Sequence, residues 1–155
     1  MEEIFKEVSL NEIQDLITEA STSNDFSASI DSNESLKDTM KNFIGNKDFH
    51  VFLLTSSDNQ EIGFTSTFPN KHEGRISIGY AFVKKEYRGK GYGYTMRLKL
   101  IDWIKRQGFK EIYAKTWKKN LPMIRLNEKM GFKFVEEVAN DRKDGDSTIK
   151  YLLEI

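Results

Sequence analysis

Residues 75–104, RISIGYAFVKKEYRGKGYGYTMRLKLIDWI, decide how the rest of the chain is read. A run of β-branched and aromatic residues (75–83) gives way to glycine at every second position, Gly89, Gly91 and Gly93, with Arg88 and Lys90 among them. Leu98, Ile101 and Ile104 then recur at helical spacing, with Gly108 as the stop. Strand, glycine loop and helix in that order make an anion site. The first N–H groups of a helix lack internal partners, and the helix dipole puts partial positive charge there. Glycines let a phosphate approach the backbone, and the two cations add donors. The plainer alternative is a tight turn whose glycines serve only geometry.

Upstream, 61–68 and 49–55 read as strands separated by SSDNQ, a loop suited to a hairpin, so 49–83 is expected to form an antiparallel meander. Residues 3–8 alternate as a first strand. Ser9 and Glu12 fit a capping box, with Leu10, Ile13, Leu16 and Ile17 striping the helix behind it. Residues 21–35 read as a polar loop, and Leu36, Met40, Phe43 and Ile44 as a second helix ended by Gly45. Downstream, 110–117 is a strand. Asn120 caps a helix that tolerates Pro122 in its first turn, with Met123, Leu126 and Met130 on its buried side. Residues 132–138 and 147–155 bracket a turn-rich segment as a closing hairpin. The expectation is one mixed α/β domain over residues 1–155.

Composition narrows the partners. Lys plus Arg equals Asp plus Glu at 24 each, so no global field draws nucleic acid or an anionic membrane. Cysteine is absent and histidine limited to His50 and His72, which removes thiolate chemistry and argues against a metal site. No apolar run approaches the ~20 residues of a membrane span, and the charged N-terminus does not resemble a signal peptide. A cytoplasmic setting is expected.

Gly93 is followed by Tyr94 rather than lysine, which fails the P-loop pattern. Tyr94 and Met96 stand where a dinucleotide fingerprint needs glycine, and an antiparallel meander is the wrong sheet for it. Arg88-x-x-Gly91-x-Gly93 instead resembles the pyrophosphate loop of the GCN5-related N-acetyltransferases (GNAT). NLPMIRLNEKMGF (120–132) resembles that family's second signature, and the element order from Glu3 onward is similar as well.

The resemblance implies a mostly antiparallel sheet, splayed between its fourth and fifth strands and flanked by about four helices. It implies acetyl-CoA as acetyl donor, without a metal. Backbone at Phe82 and Val83 would pair with pantetheine. Arg88, Gly89, Lys90, Gly91, Tyr92 and Gly93, with Thr95, would hold the pyrophosphate, and Asn120 would touch the cofactor beyond the splay. The acceptor would be a small-molecule amine or a peptide N-terminus, with an N–H near Val83 stabilising the oxyanion. A homodimer is common in the family. Asn127 stands where many members carry the tyrosine that protonates the thiolate. It either hydrogen-bonds the sulfur, directly or through water, or faces solvent or CoA. Tyr80 is a candidate for proton acceptance, or, sharing a face with Ile76 and Ile78 by alternation, a core residue. Trp117 either lies beside pantetheine or fills the core. A non-catalytic CoA-binding module and a nucleotide-binding protein are the competing functions.

Overall fold

The computed structural model describes residues 2–23, 36–142 and 145–155. Its strands are β1 (Ile4–Val8), β2 (His50–Thr55), β3 (Glu61–Pro69), β4 (Arg75–Val83), β5 (Glu111–Trp117), β6 (Lys133–Val138) and β7 (Thr148–Glu154). They form one sheet in the order β1-β2-β3-β4-β5-β7-β6. Every neighbouring pair is antiparallel except β4 and β5. The α-helices among the described residues are α1 (Gln14–Thr22), α2 (Leu36–Lys41), α3 (Tyr92–Arg106) and α4 (Leu121–Lys129). None is long and apolar enough to cross a membrane.

Strand alternation divides the core. Val51, Leu53 and Phe64 face α1 and α2, where Leu16, Ile17, Ala20, Leu36 and Met40 cover them. Phe52, Ile76 and Ile112 face the other way, under Leu100, Ile101 and Ile104 of α3. Removing apolar surface from water on both faces of one sheet is the main stabilising term.

Alternation breaks inside β4. Thr65 pairs with Ala81 but Thr67 with Ile78, so β4 carries one more residue than β3 across this step. Such a bulge reverses which side chains face which side of the sheet. Ile76 and Ile78 lie under α3, whereas Tyr80 and Phe82 pack toward α1 and α2. The sequence expectation that Tyr80 shares a face with Ile76 and Ile78 is therefore corrected. Ser66 Oγ donates to the Tyr80 carbonyl at 3.0 Å, fixing the bulge from β3. Gly79 suits the position because a β-carbon there would lie 2.5 Å from Ser66 Oγ.

The parallel pairing of β4 with β5 is short. Arg75↔Glu111, Ile76↔Ile112 and Ser77↔Tyr113 are in register, and Arg75 Nη2 meets Glu111 Oε1 at 3.2 Å to close that end. Beyond Ser77 the strands separate while β4 continues to Val83 and β5 to Trp117. β7 pairs along all of β5 on its opposite edge, which holds the second arm of the V straight.

Smaller departures have local causes. Ser21 and Thr22, expected in a loop, extend α1, because their hydroxyls donate to the Ile17 and Glu19 carbonyls instead of competing with the helix. Glu12 Oε2 accepts from the Ser9 N–H at 2.6 Å, the glutamate half of the expected capping box. The chain begins that helix as a 3₁₀ turn, Leu10–Ile13. Helix α2 stops at Lys41, leaving Ile44 exposed while Phe43 stacks on Phe68. Leu98 is also exposed, and the buried face of α3 runs through Met96, Arg97, Leu100, Ile101 and Ile104. The rest of the expected 21–35 loop lies outside the described residues, apart from Ser23.

A methyl group at Gly63 would sit 2.2 Å from the Phe82 carbonyl oxygen and 3.1 Å from the Val83 Cα. Because those atoms are backbone, Gly63→Ala is expected to destabilise the fold by about 1–3 kcal/mol, lowering Tm by roughly 2–10 °C in thermal unfolding. An unchanged Tm would show that β3 and β4 separate there without cost.

Candidate functional site

The separation of β4 from β5 opens a cavity of about 720 Å³. Ile78 to Val83 form one wall, Ala114 to Trp117 the other, and Asn120, Pro122 and Met123 flank the mouth. The β4 wall offers backbone. Tyr80 O receives Ser66, Phe82 O lies against Gly63, and Lys84 N donates to Ile62 O at 2.9 Å, so these alternate peptide groups point at β3. Strand alternation therefore turns the N–H and C=O of Ala81 and Val83 toward the gap. Phe82, expected to contribute its backbone there, directs it to β3 instead and places its ring in the core.

At one end of the gap stands the glycine loop. Gly91 caps α3 with φ of +86°, a conformation that disfavours residues with a β-carbon. β-Carbons built at Gly89, Gly91 and Gly93 would meet nothing within 4 Å, so the loop leaves an open cradle above bare backbone. Tyr92, Gly93 and Tyr94 present N–H groups that precede the first helical bond, Thr95 N to Gly91 O at 3.0 Å. Thr95 therefore has only its hydroxyl to offer. Arg88 Nε donates to Val83 O at 2.9 Å, and its guanidinium lies 5.4 Å from the Phe82 ring centroid, tying the loop to the end of β4. The Lys90 ammonium lies 5.9 Å from the Tyr87 ring centroid. Open cradle, helix N-terminus and adjoining free strand edge suit a pyrophosphate joined to an amide-bearing arm, as CoA is.

Behind the gap lies a polar network inside the core. Arg97 is 5% exposed and Asn127 0%. Arg97 Nη1 donates to Asn127 Oδ1 at 2.7 Å, and Asn127 Nδ2 donates to Thr116 Oγ1 at 3.0 Å. Arg97 Nη2 points at Met123 Sδ, 3.0 Å away, and the guanidinium lies 5.6 Å from the Phe132 ring centroid. Among the described residues no carboxylate pairs with it. Burial pulls the Arg97 guanidinium down to about 10, still well above neutral pH, so it stays charged. Asn127 thus does not face solvent: oxygen and nitrogen are both engaged within the protein.

The other expected site residues fall around this cavity. Asn120 lines it and caps α4, its Oδ1 accepting from Met123 N at 3.3 Å. Tyr80 lines it too, edge-on to Phe68 at 5.4 Å between ring centroids. Trp117 lines it and donates from Nε1 to Asp146 at 2.9 Å. His72 is exposed in the turn after β3, and His50 pairs with Glu7 at 2.7 Å on another part of the surface.

Sequence reasoning missed Arg97, Thr116 and Arg142, all buried and all on the lining. A signal existed for the first: Arg97, Ile101 and Ile104 lie at i, i+4 and i+7, so a cation interrupts an apolar helical stripe. Among the described residues the lining carries Arg88, Arg97, Lys115, Lys119 and Arg142 but neither Asp nor Glu.

Removing the Asn127 side chain would leave Arg97 Nη1 and Thr116 Oγ1 without their partner in the core. Asn127→Ala is expected to cost about 1–3 kcal/mol, a Tm fall of roughly 3–10 °C by calorimetry. A fall under a degree would mean the network is not stabilising.

Comparison with known proteins agrees with this geometry. The acetyltransferase (GNAT) family model matches residues 10–132. The SPbeta prophage-derived uncharacterized N-acetyltransferase YokL of Bacillus subtilis (strain 168) is 31% identical over 87 residues, 56% of this chain and 49% of that protein. The chain spans about half the length of the curated relatives it matches. In structure it resembles a ribosomal-protein-alanine N-acetyltransferase from Brucella melitensis, with TM-score 0.81 at 15% identity over 98% of this chain and 99% of that one. It also resembles a spermidine N-acetyltransferase from Vibrio cholerae in complex with CoA and spermine, with TM-score 0.80 at 13% identity over 98% and 95% of the two chains. The family match covers the capped first helix, the bulged strand, the glycine cradle and α4 together, and on that ground the chain belongs to the acetyltransferase (GNAT) family.

Proposed function

We propose that the chain transfers an acetyl group from acetyl-CoA to a primary amine, of a small molecule or a protein N-terminus, by direct attack within a ternary complex. The observation that carries this is the joining of an open glycine cradle at the N-terminus of α3 to an unpaired strand edge along one cavity. In this reading the amides from Gly89 to Gly93, the Arg88 side chain and the Thr95 hydroxyl hold the pyrophosphate, the Arg88 N–H being taken by Lys85 O, and Asn120 contacts the cofactor at the far side. Ala81, rather than Phe82, pairs with the pantetheine arm, since Val83 O already accepts from Arg88. The thioester supplies an activated acyl group, so the protein chiefly has to position amine and carbonyl. The Val83 N–H is placed to receive charge developing on the carbonyl oxygen.

The amine must lose its proton before it attacks. The buried charge of Arg97 on the lining favours the neutral form of a bound amine, which lowers the demand on any base. Tyr80, on the same lining, is the proton acceptor in this reading. The same charge balance argues about the acceptor. The Vibrio cholerae relative was solved with spermine, but a lining without carboxylates among the described residues suits an amine with no further positive charge.

Thermal unfolding with acetyl-CoA, CoA, ATP and NAD tests the reading. At ~100 times its dissociation constant a ligand adds about 2.7 kcal/mol, so either CoA ligand is expected to raise Tm by roughly 5–10 °C. Gly93→Trp should abolish the shift, because it fills the cradle at a position where φ is not positive. No shift with CoA from a folded chain would sink the proposal. Thiol release over an amine panel is then expected to favour monoamines and peptide N-termini over spermine; faster turnover of spermine would reverse the acceptor assignment. CoA binding without turnover of any amine would favour a non-catalytic module.

A further inference from the structure

We propose that Arg97 is a catalytic group of this chain: its guanidinium, held in place by Asn127, stabilises the sulfur anion released when the acyl group leaves CoA. This rests on the acetyl-transfer reading and gives it the leaving-group partner that Asn127 cannot be. An amide has no proton to yield at neutral pH. Its oxygen is moreover taken by Arg97, and one of its two N–H donors by Thr116.

Arg97 has what the position needs. It lines the cavity, beside Thr116 and Met123 on the walls. It is buried, yet its contacts are an amide oxygen, a thioether sulfur and a ring face, none with a full negative charge. A buried cation without a counter-charge is costly, and an anion at the gap would relieve that cost. Among the described residues, the elements packed against it present no titratable group at the contact: Met123 and Asn127 come from α4, Thr116 from β5, and Phe132 precedes β6. The remaining charged or titratable groups on the lining serve it less well. Arg88 donates to Val83 O, Lys119 meets Asp146 at 3.2 Å, Lys115 is exposed, Arg142 lies on the β6–β7 connection, and Tyr80 packs on Phe68.

In the step, the amine nitrogen forms a bond to the carbonyl carbon as the carbon–sulfur bond breaks. The bonding pair goes to sulfur, and the nitrogen gives up its proton to the Tyr80 hydroxyl, which passes its own on to water. The guanidinium keeps its own protons, so sulfur departs as a thiolate and is held by charge.

The test is the ultraviolet titration of the thiol of CoA bound to the protein, which needs neither an acceptor nor turnover. In wild type the bound thiol is expected to ionise at least about one pH unit below free CoA, a tenfold gain in thiolate at a given pH below both values. Arg97→Met should return it to the free value, and Arg97→Lys should retain part of the shift. Should Arg97→Met fail to fold, Asn127→Asp preserves shape and neutralises the cation, and it too should abolish the shift. A wild-type bound thiol that titrates like free CoA overturns the assignment, as does a full shift surviving in Asn127→Asp or in folded Arg97→Met. If wild type does not bind CoA at all, the acetyl-transfer reading falls and takes this assignment with it. CoA bound with an unshifted thiol removes the assignment alone.

Discussion

Opposite Ser66, β4 carries one residue that β3 does not match, and much of the molecule follows from that count. An extra residue bends its strand and increases the local twist, so β4 leaves its partner β5 after only three registered pairs. The same residue reverses the faces. Ile76 and Ile78 are held under α3, while Tyr80 and Phe82 are held under α1 and α2. The divergent half of β4 is thus anchored in a core of its own rather than left as a loose edge. That anchoring keeps a cavity open through the middle of a sheet whose two ends are densely packed. The Arg75–Glu111 pair and the full β5–β7 ladder fix the hinge and the far arm.

Electrostatics divides the cavity in a way net charge hides. Over the whole chain the formal charge is zero, but the described lining has five cations and no acid. Arg97 carries that charge well below the surface, with no carboxylate against it among the described residues. Low dielectric strengthens such a field at depth, where water screens it least. Arg97 is also a structural compromise. Its hydrogen bonds tie α3 to α4, and through Asn127 to β5, yet they leave its charge unmatched. Strain of this electrostatic kind persists only where surrounding structure over-determines it, and it is concentrated at functional sites.

Much of this was legible in the sequence because it is local. Strand β4 occupies residues 75–83 as its composition indicates, and Ser9, Gly91 and Asn120 precede the helical turns they were expected to open. The splay could be expected only through the family resemblance, since no local pattern says that two strands pair for three residues and then part. Tyr80 was placed on the wrong face because alternation is counted along one strand, and a bulge is a mismatch between two. Phe82 shows the same limit for backbone: which peptide groups face the gap depends on where β3 lies. Asn127 was expected at the sulfur, in solvent or beside CoA. Its engagement by Arg97, thirty positions away in sequence, is a tertiary pairing no window reveals. Leu98 and Ile44 had the right spacing and still ended exposed, since α3 is covered on one side only and α2 stops at Lys41, before Ile44.

The sheet order has a consequence for how the chain reaches this state. β1 to β4 are adjacent in both sequence and space, apart from the helices between β1 and β2, so most of that half can assemble as it is synthesised. β7, last of the seven in chain order, inserts between β5 and β6. Until its residues leave the ribosome, β5 lacks its only full-length neighbour and β6 has no partner in the sheet. The arm of the V that faces β4 is thus the last part to become rigid, and its unpaired edges are exposed in the meantime. Dependence on a chaperone, and sensitivity to truncation, should concentrate in this half rather than in the meander.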